Sequence, residues 1–141
     1  MEKSIAISEL FRNFAFMDLR YIYNGVELSY YVAGEGDTIL LLHGWGCDRN
    51  IWGETAEMLS RSHRVVAVDF AGFGLSGEPG EVWGVEEYTR SIEALVQELG
   101  IVHPVLVGHS FGGRVSLLYA SRNEVSRVVL ADAAGVKPRR T

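Results

Sequence analysis

The stretch Val105-Leu106-Val107-Gly108-His109-Ser110-Phe111-Gly112-Gly113 decides how the rest of the chain is read. Three apolar residues of the kind that form a buried strand run into a serine with glycine two positions before it and two after. That spacing fits a sharp strand-to-helix turn that leaves the serine hydroxyl exposed above the end of a sheet. The glycines have a steric reason: a side chain at Gly108 or Gly112 would collide with a neighbouring strand or helix, and the turn holds Ser110 in a strained backbone conformation. Phe111 opens the helix, so its N–H and the positive helix terminus can face an oxyanion forming beside the serine. Ser110 is thereby the candidate nucleophile. The alternative is a glycine-rich turn in which Ser110 only caps a helix, and the other motifs must decide between them.

Composition removes several function classes. The 141 residues are one domain in length, and with 48% hydrophobic residues they can bury roughly 68–70% of the unfolded surface. Thirteen basic and 18 acidic residues leave a net charge of −5 without long runs, which argues against nucleic acid or an anionic membrane surface as partner. The only basic cluster is Lys137-Pro138-Arg139-Arg140. A single cysteine, Cys47, excludes a disulfide framework within the chain and fits a reducing compartment. Met1 to Phe16 lacks a basic leader followed by an unbroken apolar stretch, and no apolar run approaches the ~18 residues of a membrane span. The expected location is the cytoplasm.

In chain order, Ser4 to Phe16 has helical spacing of Ile5, Leu10, Phe11 and Phe14, which predicts a helical appendage over residues 1–17 before a main domain over 18–141. Leu19–Tyr23 and Val26–Val32 flank Asn24-Gly25, a hairpin signal because both turn positions tolerate positive φ. The continuous apolar run Thr38–Leu42 predicts a strand covered on both faces. A helix from Trp52 to Leu59, a strand Arg64–Val68, a helix Val85–Leu99 ending at Gly100, the Ser110 strand, its helix to Ala120 and a strand Arg127–Leu130 complete the series. Alternating strands and helices predict an α/β fold: a mostly parallel sheet with helices on both faces and an antiparallel hairpin at its N-terminal edge.

Two further loops carry chemistry. His43-Gly44-Trp45-Gly46 follows a buried strand, where a loop can bring a backbone N–H beside the nucleophile, and Trp45 N–H is the candidate second oxyanion donor. His43 reads as a structural histidine that holds this loop, and Cys47 as a small loop residue without a base. Gly72-Phe73-Gly74-Leu75-Ser76-Gly77 formally matches a dinucleotide fingerprint, but Glu78-Pro79-Gly80 follows and postpones the helix that a pyrophosphate would need. No cofactor and no metal site are expected.

In this order His43-Gly44-Trp45-Gly46, Asp69-x-x-Gly72-x-Gly74-x-Ser76 and Gly108-His109-Ser110-Phe111-Gly112-Gly113 resemble the α/β-hydrolase fold superfamily, from about Leu19 to Arg140. The resemblance implies that the Ser110 strand is the fifth and Arg127–Leu130 the sixth. It also implies an ester or similar acyl bond in a small-molecule substrate, Ser110 as nucleophile, and Trp45 and Phe111 as oxyanion-hole donors. Serine at position 110 disfavours the dehalogenase and epoxide-hydrolase branches, which use aspartate there. Asp69 is expected to shape its glycine-rich loop, and Ala71 departs from the proline often found at that point.

The family's order is serine, acid, then histidine, and no histidine follows Ser110. Asp132 is the possible acid, against a capping or loop role. The expectation is a serine hydrolase fold truncated after the sixth strand, incomplete and inactive alone, with the exposed sixth-strand edge open to self-association. The alternative is a non-catalytic remnant or binding module that keeps the fold without activity.

Overall fold

The computed structural model describes residues 15–132. Among these, six strands form one sheet: β1 (Met17–Tyr23), β2 (Val26–Ala33), β3 (Thr38–Leu42), β4 (Arg64–Val68), β5 (Val105–His109) and β6 (Arg127–Ala131). Their order across the sheet is β1-β2-β4-β3-β5-β6. Asn24 and Gly25 both take positive φ, 49° and 77°, and fold β1 onto β2 antiparallel. β2 is antiparallel to β4, whereas β3, β4, β5 and β6 run parallel. All five residues of β3 are buried, as expected of a strand with a helix layer on each side.

The two faces bury alternate residues of the same strands. On one, helix α1 (Gly53–Ser60) sets Ala56, with Trp52 just before it, against Tyr31, Ile39, Leu41, Val65 and Ala67. On the other, α2 (Val85–Leu99) and α3 (Phe111–Arg122) cover Leu40, Leu42, Val66, Val68 and Leu106 with Tyr88, Ile92, Leu95, Val115 and Tyr119. The Glu87 carboxylate accepts from Gly84 N–H at 2.6 Å at the start of α2, and Gly100 ends it at φ 63°. The Arg122 guanidinium bridges Glu86 and Glu93 on α2, tying the end of α3 to its neighbour.

Boundaries differ by one or two residues at several elements. The first helix does not start at Trp52: a 3-10 turn, Arg49–Trp52, precedes α1, and the Asp48 side chain caps it by accepting from Asn50 N–H at 2.8 Å. β1 begins at Met17, paired with Val32, one residue inside the expected appendage. The helix expected over Ser4 to Phe16 lies outside the described residues, except for Ala15 and Phe16, which are not helical. Among the described residues no helix is long and apolar enough to cross a membrane.

Candidate functional site

Parallel pairing decides which loops meet. Leu42 lies opposite both Val68 and Gly108, and His109 lies opposite Ala131. The residues that follow these strands therefore emerge along one edge of the sheet: His43-Gly44-Trp45, Asp69-Phe70, Ser110 and Asp132. The structure thus brings the three sequence motifs together.

Ser110 has φ 52° and ψ −115°, a conformation that L residues rarely adopt. Its N–H donates to the Ala131 carbonyl at 3.1 Å, and its own carbonyl accepts from Gly113 N–H at 2.9 Å. The glycines around it are required by contact. A Cβ on Gly108 would stand 2.5 Å from the Gly112 carbonyl oxygen, and one on Gly112 would fall on the Leu42 carbonyl. Across the gap, a Cβ on Gly44 would lie 2.7 Å from His109 Nδ1 and 3.1 Å from Ser110 Cβ. The loop after β3 is thus pressed directly against the turn that carries Ser110.

The backbone N–H groups of Trp45 and Phe111 have no acceptor among the described residues. Their rings meet edge to face at 5.3 Å between centroids, which fixes one loop relative to the other. The Ser110 hydroxyl likewise makes no hydrogen bond within the described residues. One of these N–H groups follows Ser110 in the chain, and the other belongs to the loop that Gly44 presses against it.

The histidines are accounted for differently. His43 is fully buried; its Nε2 accepts from Phe70 N–H at 2.9 Å, so the ring proton sits on Nδ1, which donates to the Gly44 carbonyl at 2.8 Å. Burial holds its pKa below the ordinary value, and the ring is neutral. It ties the loop after β3 to the loop after β4. His109 packs against Gly44 with Nδ1 buried and unpartnered among the described residues. His63 pairs with Ser62, and His103 lies near Glu124 at the other end of β5.

Asp69, 1% exposed, accepts from Arg49 N–H at 2.8 Å and Leu75 N–H at 3.0 Å, while its backbone oxygen accepts from the Ser76 hydroxyl at 2.7 Å. The loop 70–77 is wound round this carboxylate so closely that any Cβ on Gly74 would overlap it. Arg49, buried beside it, clasps Asp18 through two nitrogens at 3.0 and 3.2 Å. Asp132 sits exposed at the end of β6 with φ 45°. Cys47 is half-buried in the loop, its N–H donating to the Gly44 carbonyl at 3.1 Å. Among the described residues no group of acidic, histidine or cysteine side chains could hold a metal ion.

Sequence reading did not find Arg49, whose partners lie 20 and 31 positions away. Nor did it find the aromatic cluster about Trp45, in which Phe73 lies at 4.7 Å and Tyr88 at 5.9 Å between centroids. Its only signal was a density of aromatic residues in the loops that follow strands.

Comparison with known proteins agrees with this geometry. The model of the alpha/beta hydrolase fold family matches residues 37–139. The chain is 36% identical over 118 residues to a 2-hydroxy-6-oxo-2,4-heptadienoate hydrolase of Pseudomonas putida, covering 79% of this chain and 43% of the relative. A non-heme haloperoxidase of Rhodococcus erythropolis is 33% identical over 116 residues, covering 82% of this chain and 42% of its own. Among solved structures, a membrane phospholipase A superposes with TM-score 0.86 at 30% identity, over 96% of this chain and 46% of that one. The chain thus spans less than half the length of these relatives.

Two outcomes follow from the packing. Gly112→Val is expected to lower the melting temperature more than Ser110→Ala, because the first drives a side chain into the Leu42 carbonyl and the second only removes an oxygen; thermal unfolding of both variants checks the order. His43 supplies a pH dependence. Its folded pKa lies below the unfolded 6.5, so the unfolded chain takes up the proton first as pH falls. Its contribution is complete above pH 6.5 and declines below it, and His43→Asn should flatten the urea midpoint between pH 6.5 and about 5 relative to the parent.

Proposed function

This chain belongs to the alpha/beta hydrolase fold family, and from that premise we propose that it carries the nucleophile of a serine hydrolase acting on an ester or similar acyl bond. The observation that carries the proposal is the backbone of Ser110, at φ 52° and ψ −115° on a turn where glycine is sterically enforced on both sides. A conformation of this kind costs of order 1–3 kcal/mol and persists only where the surroundings over-determine it. In the proposed reaction Ser110 Oγ attacks the acyl carbon and its proton passes to a histidine. The carbonyl oxygen becomes an oxyanion that accepts from Trp45 and Phe111 N–H, and the leaving group departs with the proton. Water then hydrolyses the acyl-enzyme by the same route in reverse. Serine rather than aspartate at position 110 supports acyl chemistry over the other reactions found on this fold.

We place the histidine outside these 141 residues, because His43 has both ring nitrogens engaged and no described histidine bonds to Ser110. Asp132 is the proposed acid or a neighbour of it, supported by its position at the end of β6. The same observations favour a second reading, a non-catalytic module that keeps the turn for packing. The cytoplasm is the proposed compartment, supported by the lone half-buried thiol of Cys47.

A fluorophosphonate probe separates the two readings. The chain alone is expected to show little turnover and no stoichiometric labelling, since loss of one triad member removes up to about 10⁶ in turnover and leaves roughly 10³–10⁴ over water. A supplied polypeptide carrying the complementary part of a family member, with its histidine, should restore labelling at Ser110 and nowhere else. Labelling that never appears would favour the non-catalytic module, and rapid labelling of the chain alone would show that a histidine within it reaches Ser110.

We also propose that the chain self-associates through β6, whose Arg127, Val129, Leu130 and Ala131 are exposed at the end of the sheet. Sedimentation at concentrations of order 10 μM, in the range where unpaired edges associate, should show species larger than a monomer. Lysine at Val129 should shift them back toward a monomer.

A further inference from the structure

A shallow groove of about 450 Å³ opens beside the Trp45 ring, between the loop after β4 and the start of α2. Trp45, Phe73, Trp83 and Tyr88 line it together with Glu78 and Glu81, and among the described residues no lysine, arginine or histidine lines it. The rings hold one another in place: Trp45 to Phe73 at 4.7 Å, Trp45 to Tyr88 at 5.9 Å and Trp83 to Tyr88 at 5.3 Å, all edge to face. The Tyr88 hydroxyl donates to the Ala71 carbonyl at 2.9 Å, which anchors the ring to the loop. Trp45 itself is 60% exposed, a large apolar surface that no described part of the protein covers. Burial first, and then the Glu78 carboxylate, push the Tyr88 phenol above its ordinary pKa, which sets that carboxylate within electrostatic reach of the rings.

We propose that this groove binds an organic ammonium group, the cationic portion of the substrate presented to Ser110. The reason is charge complementarity. The faces of the exposed Trp45 ring carry negative potential and attract a cation laid over them, and two carboxylates at the rim add to that field with no described cationic side chain lining the groove to oppose it. A carboxylate ligand would meet two like charges, and a neutral ligand would gain only from burial. Trp45 links the groove to the reaction, because its ring forms one wall while its backbone N–H is a candidate oxyanion donor. The word substrate rests on the nucleophile reading above; binding of a cation does not.

The test is a titration of the 141-residue chain, followed by tryptophan fluorescence, with three probes that share a benzyl group: benzyltrimethylammonium, benzyl alcohol and phenylacetate. The cation should bind about tenfold more tightly than the alcohol, phenylacetate should bind most weakly, and added salt should narrow the difference. Glu78 and Glu81 are exposed, so the double variant Glu78→Gln, Glu81→Gln should melt like the parent while losing about tenfold in affinity for the cation and none for benzyl alcohol. Ser110→Ala should bind all three unchanged. Equal affinity for cation and alcohol, no binding of the cation, or an unchanged cation affinity in the glutamine variant would overturn the proposal. Cation binding together with failed Ser110 labelling would keep the groove and remove the nucleophile; labelling without cation selectivity would do the reverse.

Discussion

Leu42 sits opposite Gly108 in the parallel pairing of β3 with β5, and the helix after β5 turns back so tightly that Gly112 rests on the Leu42 carbonyl. Everything near Ser110 follows from that contact. Because the strands are parallel, the chain leaves both at the same end of the sheet. Because the helix returns over β5 without space for a Cβ, the turn must be taken in one residue, and that residue accepts positive φ. Serine has no special tolerance for such a conformation, so it is the core packed by Val115 and Tyr119 on α3 that holds it there.

Two buried polar groups then lock the surrounding loops. His43 joins the loop after β3 to that after β4, and Asp69 joins the loop after β4 to Arg49 and, through it, to Asp18 on β1. Removing one partner of the buried Arg49–Asp69 ion pair, 3.7 Å from Nε to Oδ2, costs about 3–5 kcal/mol, because the remaining charge is left uncompensated. These residues act on position rather than on a substrate. They fix the loop that carries Trp45 against the turn that carries Ser110 and Phe111.

What could be read from the sequence was whatever is encoded locally. The Asn24-Gly25 turn, the apolar runs at 38–42 and 64–68, and glycine placed two residues on either side of Ser110 are each set by steric needs within a few positions. For the same reason the six strands and their order of appearance could be anticipated. The 3-10 turn at Arg49–Trp52, capped by Asp48, was missed because four residues are too few to show a periodicity of their own. The Arg49 clasp and the rings around Trp45 were missed for a different reason: their partners are distant in sequence, and only the closed sheet makes them neighbours. The spatial order β1-β2-β4-β3-β5-β6 is likewise a property of pairing rather than of any segment.

His43 shows how position alone can mislead about chemistry. It is a histidine one loop away from a serine, and its neighbour Gly44 lies close enough to Ser110 that an added Cβ would come within 3.1 Å of the serine Cβ. Yet a general base must have a nitrogen lone pair free to accept the hydroxyl proton. In His43 that lone pair, on Nε2, already accepts from Phe70 N–H, and the other nitrogen carries the proton given to the Gly44 carbonyl. Turning the ring toward Ser110 would leave the buried Phe70 N–H unsatisfied, at about 1–3 kcal/mol, and would leave the Gly44 carbonyl with Cys47 N–H alone. The hydrogen bonds that hold the loop of Trp45 in place are therefore the ones that prevent His43 from acting as a base. In this part of the fold, positioning and proton transfer cannot be performed by the same ring.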